Sequence, residues 1–439
     1  MAIDPVVIDK RPRSLVHMFL ERVECSPDAD AYYYPVEGGW QESTWAHTHE
    51  LVEGLAGGLL ALGIEPEDRV AIVTSSRFEW VLAHLATLWA GGAVTAVDPD
   101  AGDDAITHLL ADSRARVVIA EDYDTVYTLW RIRARIRDVI KVVQVDGDFP
   151  DERVLTLEGL LTLGHEHLRQ HPRALSQRLY AVRRQGLAAL PYVTDPTRGR
   201  RGVRLTHAAL TYQATAIAML GELGETDLVY VALPLRSTYA RAVLGAQLAV
   251  GFPIALEGTP EDRGRALPMV RPTVVTGTPA MLRQLRGEIE ERQGSGFLRR
   301  QRSLEKKVHS DVHEAFGDRL RFVVSAGTGL DTDLADFFAS AGVTVLEAYG
   351  RARTGAVSVA LPSDVGSRTA GRPLPGTEVR ISEDGEIQVA SPGLMAGYHG
   401  QRSRSTAASS GGPDDRWLST GDAGVLDDQG RLRVLGRRV

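Results

Sequence analysis

Short apolar segments alternate with segments of helical spacing along most of this chain. The apolar segments of the first third are Arg69–Val73, Val94–Val97, Val117–Ala120 and Val142–Val145. Helical spacing lies around them, for example from His49 to Leu62, where leucines recur every three or four residues. Strands that alternate with helices of this length predict βαβ units, and such units require a parallel sheet. We therefore predict an α/β protein.

The alternation resumes further along the chain and then changes character. Its later apolar segments are Val229–Leu233, Pro253–Leu256, Thr273–Thr276, Phe322–Ser325 and Val343–Leu346. Exposed helices are predicted for Gln284–Gly317 from its charge and spacing. After about Val365, short strands between Gly/Pro turns are predicted at Glu378–Ser382, Glu386–Ala390 and Leu432–Leu435. These patterns predict two parallel-sheet α/β subdomains, 14–185 and 186–365, and a small β-barrel-like subdomain, 366–439.

The charge balance argues against a nucleic-acid partner. Lys and Arg number 50 against 57 Asp and Glu, giving a formal net charge of −7 among 439 residues, and that charge would repel a polyanion. Cys25 is the only cysteine, which excludes an intrachain disulfide and suits a reducing compartment. The run Trp80–Val97 is interrupted by Gly91-Gly92, which favours a helix, a turn and a strand over a membrane span. We expect a cytoplasmic protein without a membrane span.

Several motif-bearing segments follow one another in a fixed order. They are Asp68–Trp80, Tyr192–His207, Ser325–Leu330, Leu346–Gly350, Gly385–Val389 and Trp417–Arg437. As an ordered set they resemble the signature blocks of the adenylate-forming (AMP-binding) enzymes, most closely the long-chain acyl-CoA synthetases. The resemblance runs from about Ser14 to the end of the chain. It implies the large N-terminal part of that fold and the activation of a carboxylate by ATP to an acyl-adenylate, followed by transfer to a thiol.

The resemblance also assigns nucleotide-binding positions. Thr194 and Thr197 stand where phosphate-loop hydroxyls belong, and Arg201 stands at the loop lysine. Tyr349 matches the adenine-side aromatic residue, and Asp422 matches the carboxylate that grips the ribose. An alternative for Asp422 is an aspartate in a turn. The implied set is Thr194, Thr197, Arg201, Gly202, Gly327, Gly329, Tyr349, Asp422 and Arg437, with Thr206 also matching.

The chain departs from the family where the triphosphate would bind. Asp195 and Arg198 replace two loop glycines, and Pro196 replaces a threonine, which removes a backbone donor and the freedom to adopt positive φ. The Mg²⁺-binding glutamate of the family falls on Arg353, which offers a metal no acceptor. ATP or AMP is the cofactor that the resemblance implies, but the usual protein ligand for Mg²⁺ is missing. We assign no residue as catalytic and none as a metal ligand.

Two further departures concern the acyl site and the chain length. Ser237 stands where the family usually has a histidine at the acyl gate. The chain ends at Val439, just inside the hinge motif, so we expect the lysine-bearing C-terminal domain of the family to be absent. The first functional hypothesis is an acyl-CoA synthetase-like pseudoenzyme with impaired adenylation, acting as an acyl or nucleotide binder or as a partner subunit. The alternative is an active fatty-acid adenylating ligase completed by a protein that supplies the missing domain in trans.

Three hypotheses remain for the altered phosphate site. Asp195 and Arg353 descend from positions that face the same space, so they could pair and fill it. A second hypothesis is a cradle of arginines that binds phosphate without metal. A third is a solvated basic loop without a ligand. The arginines of the cradle would be Arg198, Arg200, Arg201 and Arg353.

Overall fold

The computed structural model describes residues 5–195, 199–258, 263–293, 310–327, 329–400 and 416–438. Its helices are α1 (Pro5–Asp9), α2 (Leu15–Cys25), α3 (Trp45–Ala61), α4 (Phe78–Trp89), α5 (Asp103–Ser113), α6 (Tyr123–Ile132), α7 (Leu157–Gln170), α8 (Ala174–Ala181), α9 (His207–Ala218), α10 (Thr238–Val250), α11 (Arg263–Val270), α12 (Pro279–Gln293) and α13 (Thr332–Ser340), with a helical segment at 310–316 and a 3₁₀ turn at Pro362–Asp364.

Its strands are β1 (Asp30–Val36), β2 (Gly39–Thr44), β3 (Arg69–Val73), β4 (Ala93–Val97), β5 (Ala115–Ala120), β6 (Lys141–Gln144), β7 (Val154–Thr156), β8 (Leu187–Ala189), β9 (Tyr192–Asp195), β10 (Gly199–Gly202), β11 (Leu205–Thr206), β12 (Val229–Val231), β13 (Ile254–Leu256), β14 (Val274–Gly277), β15 (Phe322–Ala326), β16 (Val345–Arg351), β17 (Gly355–Val359), β18 (Arg372–Pro373), β19 (Glu378–Ile381), β20 (Glu386–Ala390), β21 (Leu418–Leu426) and β22 (Leu432–Arg437).

Seven strands form one largely parallel sheet, in the order β11-β8-β4-β3-β5-β6-β7. β3 is central, and its Val70 lies opposite Val94 of β4 and Val117 of β5. α4 connects β3 to β4 and buries all of its residues except Glu79, as expected of a crossover helix packed on a sheet. The first four predicted strands are confirmed, and so is the helix, turn and strand predicted for Trp80–Val97.

Nine strands form the second sheet, in the order β18-β17-β16-β15-β14-β12-β13-β1-β2. Its centre is parallel, which confirms the α/β prediction for this part of the chain. One edge is completed by the N-terminal hairpin β1–β2, where Tyr32 of β1 lies opposite Ile254 of β13. The strand predicted at Val343–Leu346 begins at Val345 and continues to Arg351.

Membership of the sheets crosses the predicted boundary between residues 185 and 186. β8 and β11 follow that boundary but pair within the seven-stranded sheet, whereas β1 and β2 precede it and belong to the nine-stranded sheet. The two sheets share one hydrophobic cluster, which contains Val70 of β3 and Val229 of β12. The subdomain boundaries themselves stay predictions.

The last strands form a four-stranded antiparallel sheet, β19-β20-β21-β22. The predicted strands β19, β20 and β22 are present, but β21, the nine-residue strand between them, was not predicted. Asp422 lies inside β21 and opposite Arg437 of β22. The interpretation of Asp422 as a turn residue is therefore wrong.

The exposed helices predicted for Gln284–Gly317 need one correction. α12 ends at Gln293, and its Leu285 and Ile289 are each only 1% exposed. These residues are four apart, so they lie on one face of the helix. They belong to the hydrophobic cluster that also contains Val275 of β14. Residues 294–309 of this prediction lie outside the described part of the chain.

Helices α3 and α7 touch through glycines. A Cβ atom on Gly164 of α7 would lie 1.8 Å from the carbonyl oxygen of Gly54, and one on Gly58 of α3 would lie 2.4 Å from the carbonyl oxygen of Leu160. The two helix backbones are thus in direct contact at a place where no side chain fits. Among the described residues, no helix combines the length and the apolar character needed to cross a bilayer.

Candidate functional site

A cavity of about 660 Å³ opens beside the carboxyl ends of the central strands of the nine-stranded sheet. The segment after β12 lines it with Leu233, Pro234 and residues 236–239. Thr278, directly after β14, and Gly327, directly after β15, also line it. Parallel strands end at the same edge of a sheet, so the loops that follow them converge there. β9, β16, β21 and β22 supply further parts of the wall.

The lining of this cavity is strongly cationic. Among the described residues, its charged members are Arg236, Arg241, Arg351, Arg353, Arg437 and Asp195. Arg236 and Arg351 are paired with Asp98 and Asp422 outside the lining, so the positive charge of the cavity comes mainly from the other three arginines, although the chain as a whole carries a net charge of −7. Such a cavity attracts anionic ligands.

Asp422 has both carboxylate oxygens engaged by protein groups. Arg351 forms a bidentate pair with it, Nε donating to Oδ2 at 2.7 Å and Nη2 to Oδ1 at 2.6 Å. The hydroxyl of Tyr349 donates to Oδ2 at 2.7 Å, and Arg437 Nε lies 3.9 Å from Oδ1. The carboxylate has no exposed surface. The residue at the ribose position is therefore neutralised inside the protein.

The pKa values of the two donors reflect this arrangement. The hydrogen bond to Asp422 raises the pKa of Arg351 above its usual value. Burial raises the pKa of the Tyr349 hydroxyl, and the bond to Asp422 adds to that rise. Both groups therefore keep their protons at neutral pH and remain donors to the carboxylate.

Arg353, at the position of the metal-binding glutamate, points into the same region. Its Nη2 donates to the carbonyl oxygen of Thr420 at 2.7 Å. Asp195 lies in the cavity lining, and its Oδ2 is 3.9 Å from Arg201 Nη1. Asp195 thus lies near Arg201, and Arg353 donates to Thr420. A direct ion pair between Asp195 and Arg353 stays a prediction.

The segment that resembles the phosphate loop is flanked by an antiparallel pair of strands. Thr194 of β9 lies opposite Arg200 of β10, and Asp195 lies opposite Gly199. Gly199 has φ of +72°, a conformation that glycine adopts without strain. Thr194 lines the cavity. The predictions for Pro196, Thr197 and Arg198 fall outside the described residues.

The other positions of that segment have packing roles. The guanidinium of Arg201 lies 3.4 Å from the ring centroid of Tyr398, and its side chain is 12% exposed. A Cβ atom on Gly202 would lie 3.1 Å from the Leu190 side chain. Thr206 caps α9 by accepting a hydrogen bond from Ala209 N at 3.2 Å. Arg200 is exposed, so among the described members of the predicted arginine cradle only Arg353 lines the cavity.

The two glycines assigned to the adenine-side block differ in position. Gly327 lines the cavity with φ of +112°, whereas Gly329 is not part of the lining. Ser237, at the acyl-gate position, lines the cavity and caps α10, its Oγ accepting from Ala240 N at 3.2 Å. A short serine side chain that caps a helix therefore stands where the family usually has the imidazole ring of a histidine.

Three arginines of the lining were not among the predicted site residues: Arg236, Arg241 and Arg351. Arg236 forms an ion pair with Asp98. Arg351 lies two residues after Tyr349 on one strand, but an irregularity in the strand pairing between Tyr349 and Gly350 interrupts the alternation that would place both side chains on one face. Nothing in the local sequence of Arg241 distinguishes it from other arginines on helices.

The described residues offer few ligands for a divalent metal. They contain no group of three His, Cys, Asp or Glu side chains placed to bind an ion, and the cavity lining offers Asp195 alone as a carboxylate. Mg²⁺ prefers carboxylate and phosphate oxygens. The arginines fit the phosphate or carboxylate oxygens of a ligand instead, because guanidinium groups bind such anions directly.

Two α/β sheets joined to a small antiparallel sheet, with a cavity at their carboxyl edge, define the large domain of an adenylate-forming enzyme. The chain belongs to the AMP-binding enzyme family, whose model matches residues 19–399.

Relatives and solved structures agree with this assignment. The long-chain-fatty-acid–CoA ligase FadD15 of Mycobacterium tuberculosis is 28% identical over 461 residues, covering 96% of this chain and 74% of that protein. The human long-chain-fatty-acid–CoA ligase ACSBG1 is 23% identical, covering 97% of this chain and 64% of that protein. The long-chain-fatty-acid–CoA ligase FadD1 of Archaeoglobus fulgidus has a similar fold, with a TM-score of 0.79 at 17% identity, over 97% of this chain and 85% of that one.

Proposed function

We propose that this chain is an acyl-CoA synthetase-like protein that binds a nucleotide or an acyl carboxylate through arginines, with adenylation weak or absent. The observation that carries this proposal is the cavity lining of five arginines and one aspartate. In a metal-dependent ligase, Mg²⁺ neutralises the triphosphate and helps to align it. Here Arg353 stands at the glutamate position, where a cation repels the metal and attracts the phosphate.

The state of Asp422 supports the same proposal. A ribose hydroxyl must reach a carboxylate oxygen in order to donate to it, and the Asp422 side chain has no exposed surface. Arg351 and Tyr349 cover it through their hydrogen bonds to its two oxygens, so nucleotide binding in the family manner requires a covering group such as Arg351 to move away. Breaking the buried ion pair of Arg351 with Asp422 costs about 3 kcal/mol, which would weaken ribose binding by roughly a hundredfold.

The acyl part of the proposal depends on a second, smaller cavity. It has a volume of about 70 Å³ and is lined almost entirely by apolar residues, including Leu223, Val243 and Leu346. Tyr239 lines both cavities, and its hydroxyl donates to the Ser358 carbonyl oxygen at 2.7 Å. An acyl chain in the apolar cavity would place its carboxylate toward the arginines. The relatives named above are long-chain-fatty-acid–CoA ligases, which supports an acyl ligand.

Pyrophosphate release tests the proposal. The purified chain is incubated with ATP, Mg²⁺ and either octanoate or palmitate, and an active relative of the family serves as the positive control. We expect release at least about a hundredfold below that of the relative. Release at a comparable rate would refute impaired adenylation. The triple variant Arg353→Glu, Asp195→Gly, Arg198→Gly restores the family residues, and a gain in release would locate the defect at these positions.

A second candidate is a working ligase in which arginines replace Mg²⁺ and a separate protein supplies the lysine-bearing domain. The arginine-rich lining favours it, because fixed cations can stabilise the charge that develops during phosphoryl chemistry. Addition of the C-terminal domain of an active relative in trans tests this candidate. Pyrophosphate release that requires the added domain and persists in EDTA would support it, and no release under these conditions would remove it. The cytoplasmic location stays a prediction.

A further inference from the structure

Arg241 is a deeply buried cation in the wall of the arginine-lined cavity. It lies in the first turn of α10, one turn after the capping residue Ser237. The residue is 8% exposed and belongs to the cavity lining. Arginine is almost never buried to this extent unless an acidic group accompanies it.

No carboxylate accompanies Arg241 in the part of the chain that the structure describes. Its one hydrogen bond runs from Nη1 to the carbonyl oxygen of Arg236, which leaves Nε and Nη2 without an acceptor among those residues. Arg263 provides the contrast, since it is equally buried at 5% exposed. Its Nε and Nη2 both donate to the carboxylate of Glu257, the Nη2 bond at 2.9 Å, and its Nη1 donates to the side-chain oxygen of Gln284.

The surroundings of Arg241 supply no other counter-charge. Burial, with a smaller contribution from the charge of Arg241, lowers the pKa of His84 to about 3, so this neighbouring ring is neutral. Burial lowers the pKa of Arg241 itself to about 10, so the guanidinium remains charged at neutral pH. Arg353, whose hydrogen bond goes to a carbonyl oxygen and not to a carboxylate, adds positive charge to the same lining. A buried charge without a partner costs several kcal/mol of stability.

We propose that Arg241 binds an anionic group of the ligand that enters the cavity, either a carboxylate or a phosphate. The inference deepens the proposed function and rests on it, because it assigns to one residue the contact with the charged end of the acyl or nucleotide ligand. Arg241 has free donors in a fixed planar arrangement, which suits two oxygens of one group. Arg236 differs because Asp98 already neutralises it.

Thermal unfolding of the full chain with added anions tests the inference. The probes are inorganic phosphate, AMP and sodium octanoate, each titrated against the wild type, Arg241→Met, Arg241→Lys and the control Arg286→Met, whose partly exposed arginine lies outside the cavity lining. We expect at least one probe to raise the Tm of the wild type and of Arg286→Met. Arg241→Met should need at least about tenfold more of that probe, and Arg241→Lys should lie between. A loss confined to octanoate identifies a carboxylate, and a loss confined to phosphate and AMP identifies a phosphate.

The unliganded variants provide a second readout that a structural role would not give. Arg241→Met removes a charge without a partner, so its Tm without added anions should equal or exceed that of the wild type. A structural arginine would instead lower the Tm on removal. The inference is overturned if Arg241→Met responds to every probe at wild-type concentrations, or if no probe stabilises the wild type. An Arg241-dependent response to phosphate alone, without binding of AMP or octanoate, would support the inference while refuting the proposed function.

Discussion

Arg351 and Asp422 form a bidentate ion pair, with both N–O distances below 2.8 Å and the carboxylate fully buried. The two residues come from different sheets, β16 of the nine-stranded sheet and β21 of the antiparallel sheet. The pair therefore ties the last sheet to the central one at the wall of the cavity. It also occupies the carboxylate that the family resemblance assigns to the ribose.

Removal of Arg351 should destabilise the protein. Arg351→Met would leave the buried carboxylate of Asp422 with Tyr349 as its main donor, at an expected cost of about 3 kcal/mol in the free energy of unfolding. Chemical denaturation measures this cost. The matched control is Arg416→Met, which breaks an equally bidentate pair with Glu378, whose side chains are both more than half exposed. The control should lose at most about 1 kcal/mol, and equal losses in the two variants would contradict the expectation.

The same substitution should improve nucleotide binding, because it releases the oxygens of Asp422 for a ribose. We expect Arg351→Met to bind AMP up to roughly a hundredfold more tightly than the wild type in isothermal titration calorimetry, which is the weakening attributed to the pair. The double variant Arg351→Met, Asp422→Asn lacks the released carboxylate and should lose this gain. An unchanged AMP affinity in Arg351→Met would mean that the pair does not compete with the ribose.

Acid should destabilise the protein partly through His84. The ring is 4% exposed, is stacked on Trp80 at 5.1 Å between centroids, and has a pKa lowered to about 3 by burial. The unfolded chain takes up the proton near pH 6.5, so the stability due to the neutral ring is complete above that pH. It is lost as pH falls toward 3, at about 1.4 kcal/mol per pH unit. Denaturation of His84→Phe between pH 6.5 and 4 should show a slope shallower by that amount, whereas the exposed His47→Gln should match the wild type.

The contact between α3 and α7 should tolerate no side chain at Gly164. A methyl group there would overlap the Gly54 carbonyl oxygen, at a distance of 1.8 Å, so Gly164→Ala must separate the helices and should cost about 3 kcal/mol. Gly287→Ala in α12 is the control, because its Cβ would meet nothing within 4 Å. It should be neutral or stabilise the protein by up to about 1 kcal/mol. Thermal unfolding distinguishes the two, and a neutral Gly164→Ala would show that the helices are less closely packed.

The parallel strands could be predicted because they are apolar on both faces. β21 could not, since its buried positions hold Thr420, Asp422 and Gly424, and a strand with polar inward residues gives no hydrophobic period. The family resemblance predicted a functional role for Asp422. Neither the sequence pattern nor the resemblance predicted which residues surround it. Its partner Arg351 lies 71 residues away, and local spacing carries no information on contacts at that distance.

The residues that the family resemblance assigned to the nucleotide site lie in different places. Thr194, Gly327 and Arg437 line the cavity, and their role in nucleotide binding stays a prediction. Arg201 and Gly202 occupy matching positions but pack against Tyr398 and Leu190. Arg241 was missed because an arginine on a helix ordinarily faces solvent, and only the tertiary structure buries it.

The pairing of β1 with β13 has a consequence for biosynthesis. Tyr32 of β1 cannot pair with Ile254 of β13 until the ribosome has synthesised the chain between them. At typical ribosomal speeds this intervening chain takes on the order of 10 to 45 seconds to emerge. Throughout that interval the hairpin β1–β2 presents an unpaired edge that other chains could join. The nascent protein should therefore depend on holding factors at the ribosome until its thirteenth strand has emerged.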